Sequence, residues 1–129
     1  MRLLLDTHIW LWMQTTPTRI RPEILELIAD TRNTVWLSSA SAWEIAIKYA
    51  MGRLPLPVPP SDYVPSRMAR SGTSGLTVEH RHALHVASLP PHHRDPFDRL
   101  LVAQAQLESA ILVTADGQLD AYDVQRLNA

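Results

Sequence analysis

Short apolar runs alternate with longer amphipathic segments along this chain of 129 residues. The runs at residues 2–5, 35–38 and 111–114 have the length and composition of buried strands. Between them, apolar residues recur at helical spacing, most clearly at residues 19–30 and 96–109. Strands separated by helices are typical of a parallel sheet that carries helices on its faces.

The same pattern predicts the remaining elements. Helices are expected at residues 8–13, 39–51, 62–70 and 79–89, a brief strand at 76–78 and a last edge strand at 124–127. The prolines of LPLPVPP, residues 54–60, exclude a regular helix there and predict an extended connector. We therefore predict one α/β domain over residues 1–129, a three-layer sandwich whose central, mostly parallel sheet has four or five short strands flanked by helices.

Composition narrows the class of protein. With 46% hydrophobic residues, the chain can bury a core. It has no cysteine and therefore neither disulfides nor thiolate metal sites, and this absence fits a reducing compartment such as the cytoplasm. The net charge of -1 indicates no broad basic field, so a nucleic-acid substrate would be bound by local basic residues and a metal. No apolar stretch approaches the roughly 20 residues that span a membrane, and the N-terminus does not predict a signal peptide.

Four acidic residues stand where predicted elements begin or end. Asp6 and Asp116 follow strands, Glu44 lies in the first turns of the helix after the second strand, and Asp98 opens the helix that leads into residues 111–114. Because ligands of open parallel sheets bind beyond the carboxyl ends of the strands, all four carboxylates are expected at one edge. Such a cluster repels itself unless a divalent cation, Mg²⁺ foremost, neutralises it. A carboxylate pocket that holds Mg²⁺ indicates phosphodiester chemistry.

Each acid taken alone also has a purely structural explanation. Asp6 could cap the helix that follows it, and Asp98 could be favoured by the dipole of a helix whose N-cap is Asp95. Ser41 and Glu44 have the spacing of a capping box, and Asp116-Gly117 is a common turn dipeptide. The conjunction of the four at these positions favours a functional site.

Four motifs carry a family resemblance. LLLDTHIWLW, SASAWEIAIK, DPFDRLLVAQA and LVTAD resemble the PIN-domain ribonucleases, and most closely the VapC toxins of type II toxin–antitoxin pairs. The motifs span almost the whole chain, and DPFDR followed by L-x-A-x-A is the most specific of them. The resemblance implies a PIN-like fold and an endoribonuclease, dependent on Mg²⁺ or Mn²⁺, that cleaves RNA with metal-activated water and inhibits growth.

The resemblance also implies partners and residue roles. It assigns the metal and the catalysis to Asp6, Glu44 and Asp98, with Asp116 as the fourth and less uniform member. Asp95 is not carried over as a ligand. The implied partners are an RNA substrate, a cognate VapB-type antitoxin, a second copy in a homodimer, and operator DNA only through the antitoxin.

Three residues near the acids are candidates for substrate binding. Lys48 lies one helical turn after Glu44 and suits either an RNA phosphate or a simple ion pair with that carboxylate. Arg99 adjoins Asp98 and could orient the substrate or brace the site. Thr114 ends a predicted strand, where its hydroxyl could bind a metal-coordinated water or satisfy the backbone.

Histidine and tryptophan are the other conspicuous residues. Neither a cysteine nor a regular paired spacing of the histidines supports a zinc site. Solvent-exposed side chains, some within reach of RNA phosphates at low pH, are therefore expected for His80, His82, His85, His92 and His93. Core positions are expected for most of Trp10, Trp12, Trp36 and Trp43, although Trp10 and Trp12 cannot share one helix face.

Other functions explain part of the same pattern. Within the nucleases, a housekeeping PIN-domain protein that processes RNA is an alternative, and a neighbouring small antitoxin gene would distinguish the toxin from it. A haloacid-dehalogenase phosphatase would have a second aspartate two residues after Asp6, where this chain has His8. A non-catalytic, receiver-type signalling or binding module would also cluster acids at the sheet edge, but the phospho-accepting aspartate and late lysine of such a module are not evident.

Overall fold

A parallel sheet of five strands runs through the centre of the protein, whose structure, a computed structural model, describes residues 1–129. The strands are β1 (Arg2–Leu5), β2 (Thr34–Ser38), β3 (Ser74–Leu76), β4 (Ile111–Thr114) and β5 (Arg126–Asn128). Their order across the sheet is β3-β2-β1-β4-β5, and every neighbouring pair is parallel. The predicted α/β class with a central parallel sheet is confirmed, and β1 is the middle strand.

Six α-helices connect the strands. They are α1 (Thr7–Thr15), α2 (Pro22–Ala29), α3 (Ser39–Ala50), α4 (Pro60–Ser71), α5 (His80–His85) and α6 (Pro96–Glu108). Short 3-10 segments lie at Pro17–Arg19, Val86–Ser88 and Gly117–Ala121. No helix is both long and apolar enough to traverse a lipid bilayer.

Apolar side chains cover both faces of the sheet, since successive residues of a strand point to opposite sides. In β1, Leu3 and Leu5 belong to the core that includes residues of α1, α2 and α3, whereas Leu4 belongs to the core that includes residues of α6. In β4, Val113 joins the first core and Leu112 the second. Strands buried on both faces account for the unbroken apolar runs in the sequence.

Several bounds differ from the prediction. The strand expected at 76–78 is two residues earlier, at Ser74–Leu76, and that expected at 124–127 is Arg126–Asn128. Both are edge strands, whose limits are set by pairing with β2 and β4 rather than by an apolar run. The helix predicted from residue 19 begins at Pro22, because proline is favoured in the first helical turn. The helix expected over 79–89 is split, with α-helix at His80–His85 followed by a 3-10 turn.

The helix α3 begins three residues before the position that a Ser41–Glu44 capping box would require. Ser38 is its N-cap and its side chain accepts a hydrogen bond from the Ala40 amide. Ser41 therefore faces α1 instead, where its Oγ accepts a buried hydrogen bond of 2.8 Å from Thr7 Oγ1. This bond joins the helix that follows Asp6 to the helix that carries Glu44.

We predict that Thr7→Val weakens the link between α1 and α3. Valine keeps the shape of threonine but leaves the buried Ser41 hydroxyl without its donor, so the free energy of unfolding should fall by about 1–3 kcal/mol. Chemical denaturation measures the change. The double variant Thr7→Val/Ser41→Ala removes both polar groups and should lose less than the sum of the two single variants; strictly additive losses would contradict a coupled pair.

Candidate active site

The carboxyl edge of the sheet brings three aspartates to one cavity. Asp6 follows β1, and its backbone N–H donates to the Val113 carbonyl at 2.9 Å, which ties it to the end of β4. Asp116 lies just past β4, and Asp98 lies in the first turn of α6. All three line a cavity of about 260 Å³. The other lining residues are His8, Trp12 and Ala115.

Thr114 connects two of these aspartates. Its Oγ1 is buried, donates to Asp6 Oδ2 at 2.8 Å and accepts the backbone N–H of Asp116 at 3.0 Å. Asp6 occupies the N-cap position of α1, yet its side chain makes no capping hydrogen bond. The carboxylate is therefore directed towards Thr114 rather than used to cap the helix.

Glu44 is buried on α3 and pairs with a lysine. Lys48 Nζ lies 2.6 Å from Glu44 Oε2, one helical turn away, and the lysine side chain remains 40% exposed. Glu44 does not line the cavity, but its negative charge contributes to raising the pKa of both Asp6 and Asp98. It is thus within electrostatic reach of the other acids.

Burial and mutual repulsion raise the pKa of two of the acids. Burial is the largest cause of the raised pKa of Asp6, and the hydrogen bond from Thr114 partly opposes it. The pKa of Asp98 is raised to about 7, first by burial and then by the negative charges of Asp6 and Asp95. The neighbouring His93 ring acts in the opposite direction on the pKa of Asp98 but does not outweigh these causes.

Asp116 differs because hydrogen-bond donors surround it. Burial acts to raise its pKa, but the Gln118 amide and the His93 ring donate to the carboxylate and leave the pKa below its ordinary value. The distances are 2.9 Å from Gln118 N to Asp116 Oδ1 and 2.9 Å from His93 Nε2 to Asp116 Oδ2. Asp116 also acts as the N-cap of the 3-10 turn Gly117–Ala121, in keeping with the turn expected at this dipeptide.

The start of α6 is fixed by a cap and by an arginine. Asp95 Oδ1 accepts hydrogen bonds from the amides of Phe97 and Asp98, which is the N-cap role expected for it. Arg99 Nη2 donates to the carbonyls of Val86 and Leu89 at 3.3 and 3.2 Å. The guanidinium therefore holds the loop before α6 against the helix. Of the two roles expected for Arg99, these contacts fit bracing of the site.

His93 is the main residue of the site that the sequence did not single out. Its Nε2 lies 2.9 Å from Asp116 Oδ2 and 3.3 Å from Asp98 Oδ2, and its side chain is only 10% exposed. The expectation of solvent-exposed histidines is therefore wrong for His93, and also for the fully buried His82. The one signal in the sequence was the position of His93, two residues before the DPFDR motif.

Tryptophans also depart from the expectation of core positions. Trp10 is fully buried, but Trp12 is half-buried beside the aspartates, with the Arg19 guanidinium 4.0 Å from its ring centroid. Trp43 is 63% exposed and packs edge-on against Phe97 at 5.4 Å. Aromatic surface thus lies on residues adjacent in sequence to Glu44 and Asp98.

Two other features of the surface are chemically different from this cavity. A larger cavity of about 490 Å³ lies at the far end of α6, and Asp123 is the only carboxylate in its lining. A second cluster comprises Glu79, His82 and Glu108, but Arg81 forms salt bridges with both of its glutamates. By contrast, no lysine or arginine forms a salt bridge with Asp6, Asp98 or Asp116.

Comparison with known proteins agrees with this geometry. Residues 3–125 match the model of the PIN domain family. A segment of 63 residues is 54% identical to Ribonuclease VapC16 of Mycobacterium tuberculosis; it covers 49% of this chain and 45% of that relative, so the match spans just under half of the relative's length.

Solved structures show the same fold at low sequence identity. The VapBC2 complex of Rickettsia felis, bound to a DNA fragment from its promoter, contains a chain that superposes with a TM-score of 0.76 at 18% identity, over 99% of this chain and 98% of that one. A chain of DNA-bound VapBC of Salmonella typhimurium superposes with a TM-score of 0.70 at 17% identity, over 99% of this chain and 98% of that one. A chain of FitAcB of Neisseria gonorrhoeae superposes with a TM-score of 0.67 at 22% identity, over 98% of this chain and 96% of that one. The family inferred from the four motifs is confirmed, and this chain belongs to the PIN domain family.

Proposed function

We propose that this chain is a divalent-cation-dependent endoribonuclease and the toxin of a VapBC-type type II toxin–antitoxin pair. The observation that carries the proposal is the convergence of Asp6, Asp98 and Asp116 on one cavity with no lysine or arginine to balance them. Membership of the PIN domain family and the match to a ribonuclease of the VapC type support the same function.

The donor set of the cavity fits a hard divalent cation. Carboxylate oxygens are the ligands that Mg²⁺ and Mn²⁺ prefer. Burial and the negative charges of Asp6 and Asp95 raise the pKa of Asp98 to about 7, and a bound cation would relieve this repulsion. The residues that would hold the cation are Asp6, Glu44, Asp98 and Asp116. When bound, Mg²⁺ would make water more acidic and stabilise negative charge on the phosphoryl oxygens.

The chain's own residues would orient the substrate and manage the proton. A carboxylate oxygen of the cluster can take the proton of the attacking water, and Thr114 keeps Asp6 directed towards the cavity. Lys48 retains an exposed flank while paired with Glu44 and is our candidate for contact with an RNA phosphate. Arg99 was the other basic candidate, and its hydrogen bonds to two carbonyls suit a role in positioning the start of α6.

Asp6→Asn should abolish RNA cleavage without unfolding the protein. The substitution removes one anionic ligand, which we expect to lower the cleavage rate at least about a hundredfold, equivalent to about 2.7 kcal/mol or more in activation free energy. Incubation of total RNA with and without Mg²⁺ measures the effect. Asp62→Asn, an exposed aspartate at the start of α4, is the matched control and should cleave like wild type. Undiminished cleavage by the Asp6→Asn protein would exclude Asp6 as a ligand.

The cation-free protein should lose stability as the pH rises towards neutrality. Asp98 binds its proton more tightly in the folded state, with a pKa of about 7 against 3.8 for an ordinary aspartate, so folding is favoured at low pH. Between these two values the folded state binds more protons than the unfolded state, and stability falls with increasing pH before levelling off above 7. The loss is on the order of a few kcal/mol at most.

Asp98→Asn should flatten this dependence. In EDTA, the melting temperature of the variant should be clearly higher than that of wild type at pH 8 and nearly equal to it at pH 5. The difference arises because only the ionised Asp98 carboxylate is destabilising. Mg²⁺ should raise the wild-type melting temperature more at pH 8 than at pH 5, since the cation and the proton compete for the same oxygens. An equal rise of the Asp98→Asn melting temperature at pH 5 and pH 8 would show that Asp98 does not ionise between these pH values.

We propose a VapB-type antitoxin as the protein partner, in line with the VapBC complexes that share the fold. A homodimer belongs to the same proposal, as does contact with operator DNA through the antitoxin alone, because the chain carries a net charge of -1. The cavity indicates how inhibition could work. An arginine or lysine from the antitoxin's C-terminal segment would pair with Asp6, Glu44 and Asp98 and compete with the cation.

Excess Mg²⁺ should therefore weaken inhibition by the antitoxin, while apolar contacts of the same segment retain part of the binding. The measurement is RNA cleavage by the purified complex over a range of Mg²⁺ concentrations, with wild-type antitoxin and with a tail whose basic residues are all replaced by glutamine. Full inhibition by the neutral tail would show that the antitoxin blocks RNA sterically and not through charge.

A further inference from the structure

His93 bridges two of the aspartates from the loop that precedes α6. It lies between Val86–Ser88 and the start of α6, and its Nε2 is within 3.3 Å of Asp98 Oδ2 and 2.9 Å of Asp116 Oδ2. It is the one side chain that comes within salt-bridge distance of both carboxylates. Its backbone N–H donates to Tyr122 Oη at 2.9 Å, which anchors the loop to the segment between β4 and β5.

The hydrogen bonds of the imidazole ring define which nitrogen carries the proton. His93 Nδ1 lies 3.0 Å from the backbone nitrogen of Asp95 and accepts its N–H, so Nδ1 is unprotonated. In a neutral imidazole the proton is then on Nε2, which can donate to a carboxylate but has no lone pair for a metal. The Asp95 amide is itself held in place, because Asp95 is the N-cap of α6.

We propose that His93 is a positioning residue of the carboxylate cavity, which holds Asp98 and Asp116 side by side for a divalent cation and does not itself bind the cation. The proposal rests on the metal site proposed above. Oxygens of Asp98 and Asp116 lie within 4.8 Å of each other, so the two carboxylates repel each other when both are ionised. A single donor placed between them reduces the repulsion and fixes their orientation. Donors that orient ligating side chains in this way commonly account for 10–100-fold in metal affinity.

The test is calorimetric titration of the full chain, without RNA, with Mg²⁺ and separately with Mn²⁺. His93→Ala should lower the affinity for both cations by about tenfold or more. His93→Gln should lower it less, because the glutamine side-chain amide can still donate a hydrogen bond. His92→Ala is the matched control: His92 is the neighbouring residue, packs on the Tyr122 ring at 5.2 Å and forms no salt bridge with Asp98 or Asp116. Its affinities should stay within about twofold of wild type.

The comparison of the two cations separates an orienting role from ligation. Loss of an imidazole ligand would weaken the binding of Mn²⁺ more than that of Mg²⁺, because Mn²⁺ accepts a nitrogen ligand more readily than the harder Mg²⁺, whereas loss of an orienting donor weakens the binding of both cations alike. Nitrogen-15 NMR of the wild-type protein gives a second measurement that needs no variant. The His93 Nε2 proton should be present both before and after Mg²⁺ is added.

Four results would overturn the proposal. Wild-type affinity in His93→Ala, with affinity lost in Asp6→Asn, would remove the role of His93 and leave the metal site intact. Disappearance of the Nε2 proton on addition of Mg²⁺, or a selective loss of Mn²⁺ binding, would show that His93 is a ligand. A wild-type protein that binds neither cation would overturn the metal site and the role of His93 together.

Discussion

Asp6, Asp98 and Asp116 concentrate negative charge in a partly buried cavity where no lysine or arginine balances it. The neighbouring lysine, Lys48, is already paired with Glu44. The cost of this arrangement is visible in the raised pKa of Asp98, which burial and the surrounding charges bring to about 7. A folded protein keeps repelling charges close together only when the surrounding contacts hold them there. Groups with pKa values perturbed in this way commonly cluster at functional sites.

The rest of the fold supports these side chains from behind. The middle strand β1 ends at Asp6, whose amide is bound to β4, and Thr114 then links Asp6 to Asp116. The Thr7–Ser41 hydrogen bond joins α1 to α3, and the cap at Asp95 fixes the first turn of α6. Close packing of the strands on both faces provides a rigid base for the strand ends next to Asp6 and Asp116. Thr114 donates to the Asp6 carboxylate, and the His93 ring lies 2.9 Å from that of Asp116.

The sequence was sufficient for features that depend on local spacing and on the direction of parallel strands. Asp6 and Asp116 follow strands, so their common edge could be predicted from the order of elements. The Glu44–Lys48 pair and the Asp95 cap follow from helical spacing and capping preference. The family resemblance added the chemistry that spacing alone could not specify.

Features that depend on loops and edges could not be predicted in this way. The position of His93 is set by the Asp95 amide and by Tyr122, a residue 29 positions away, and neither contact has a periodic signature. Arg99 turns towards carbonyls of the preceding loop because that loop folds back over α6. The limits of β3 and β5 are set by the register of β2 and β4, so an apolar run was a poor guide to them.

Anomalous scattering from crystals grown in Mn²⁺ would test the central claim most directly. If the unbalanced carboxylates exist to hold a divalent cation, the strongest anomalous peak should lie within coordination distance of oxygens of Asp6 and Asp98. The ring of His93 should stay hydrogen-bonded to Asp95 and outside coordination distance of that peak. A peak found only at Glu79, His82 and Glu108, or none near Asp6 and Asp98 in fully exchanged crystals, would contradict the account.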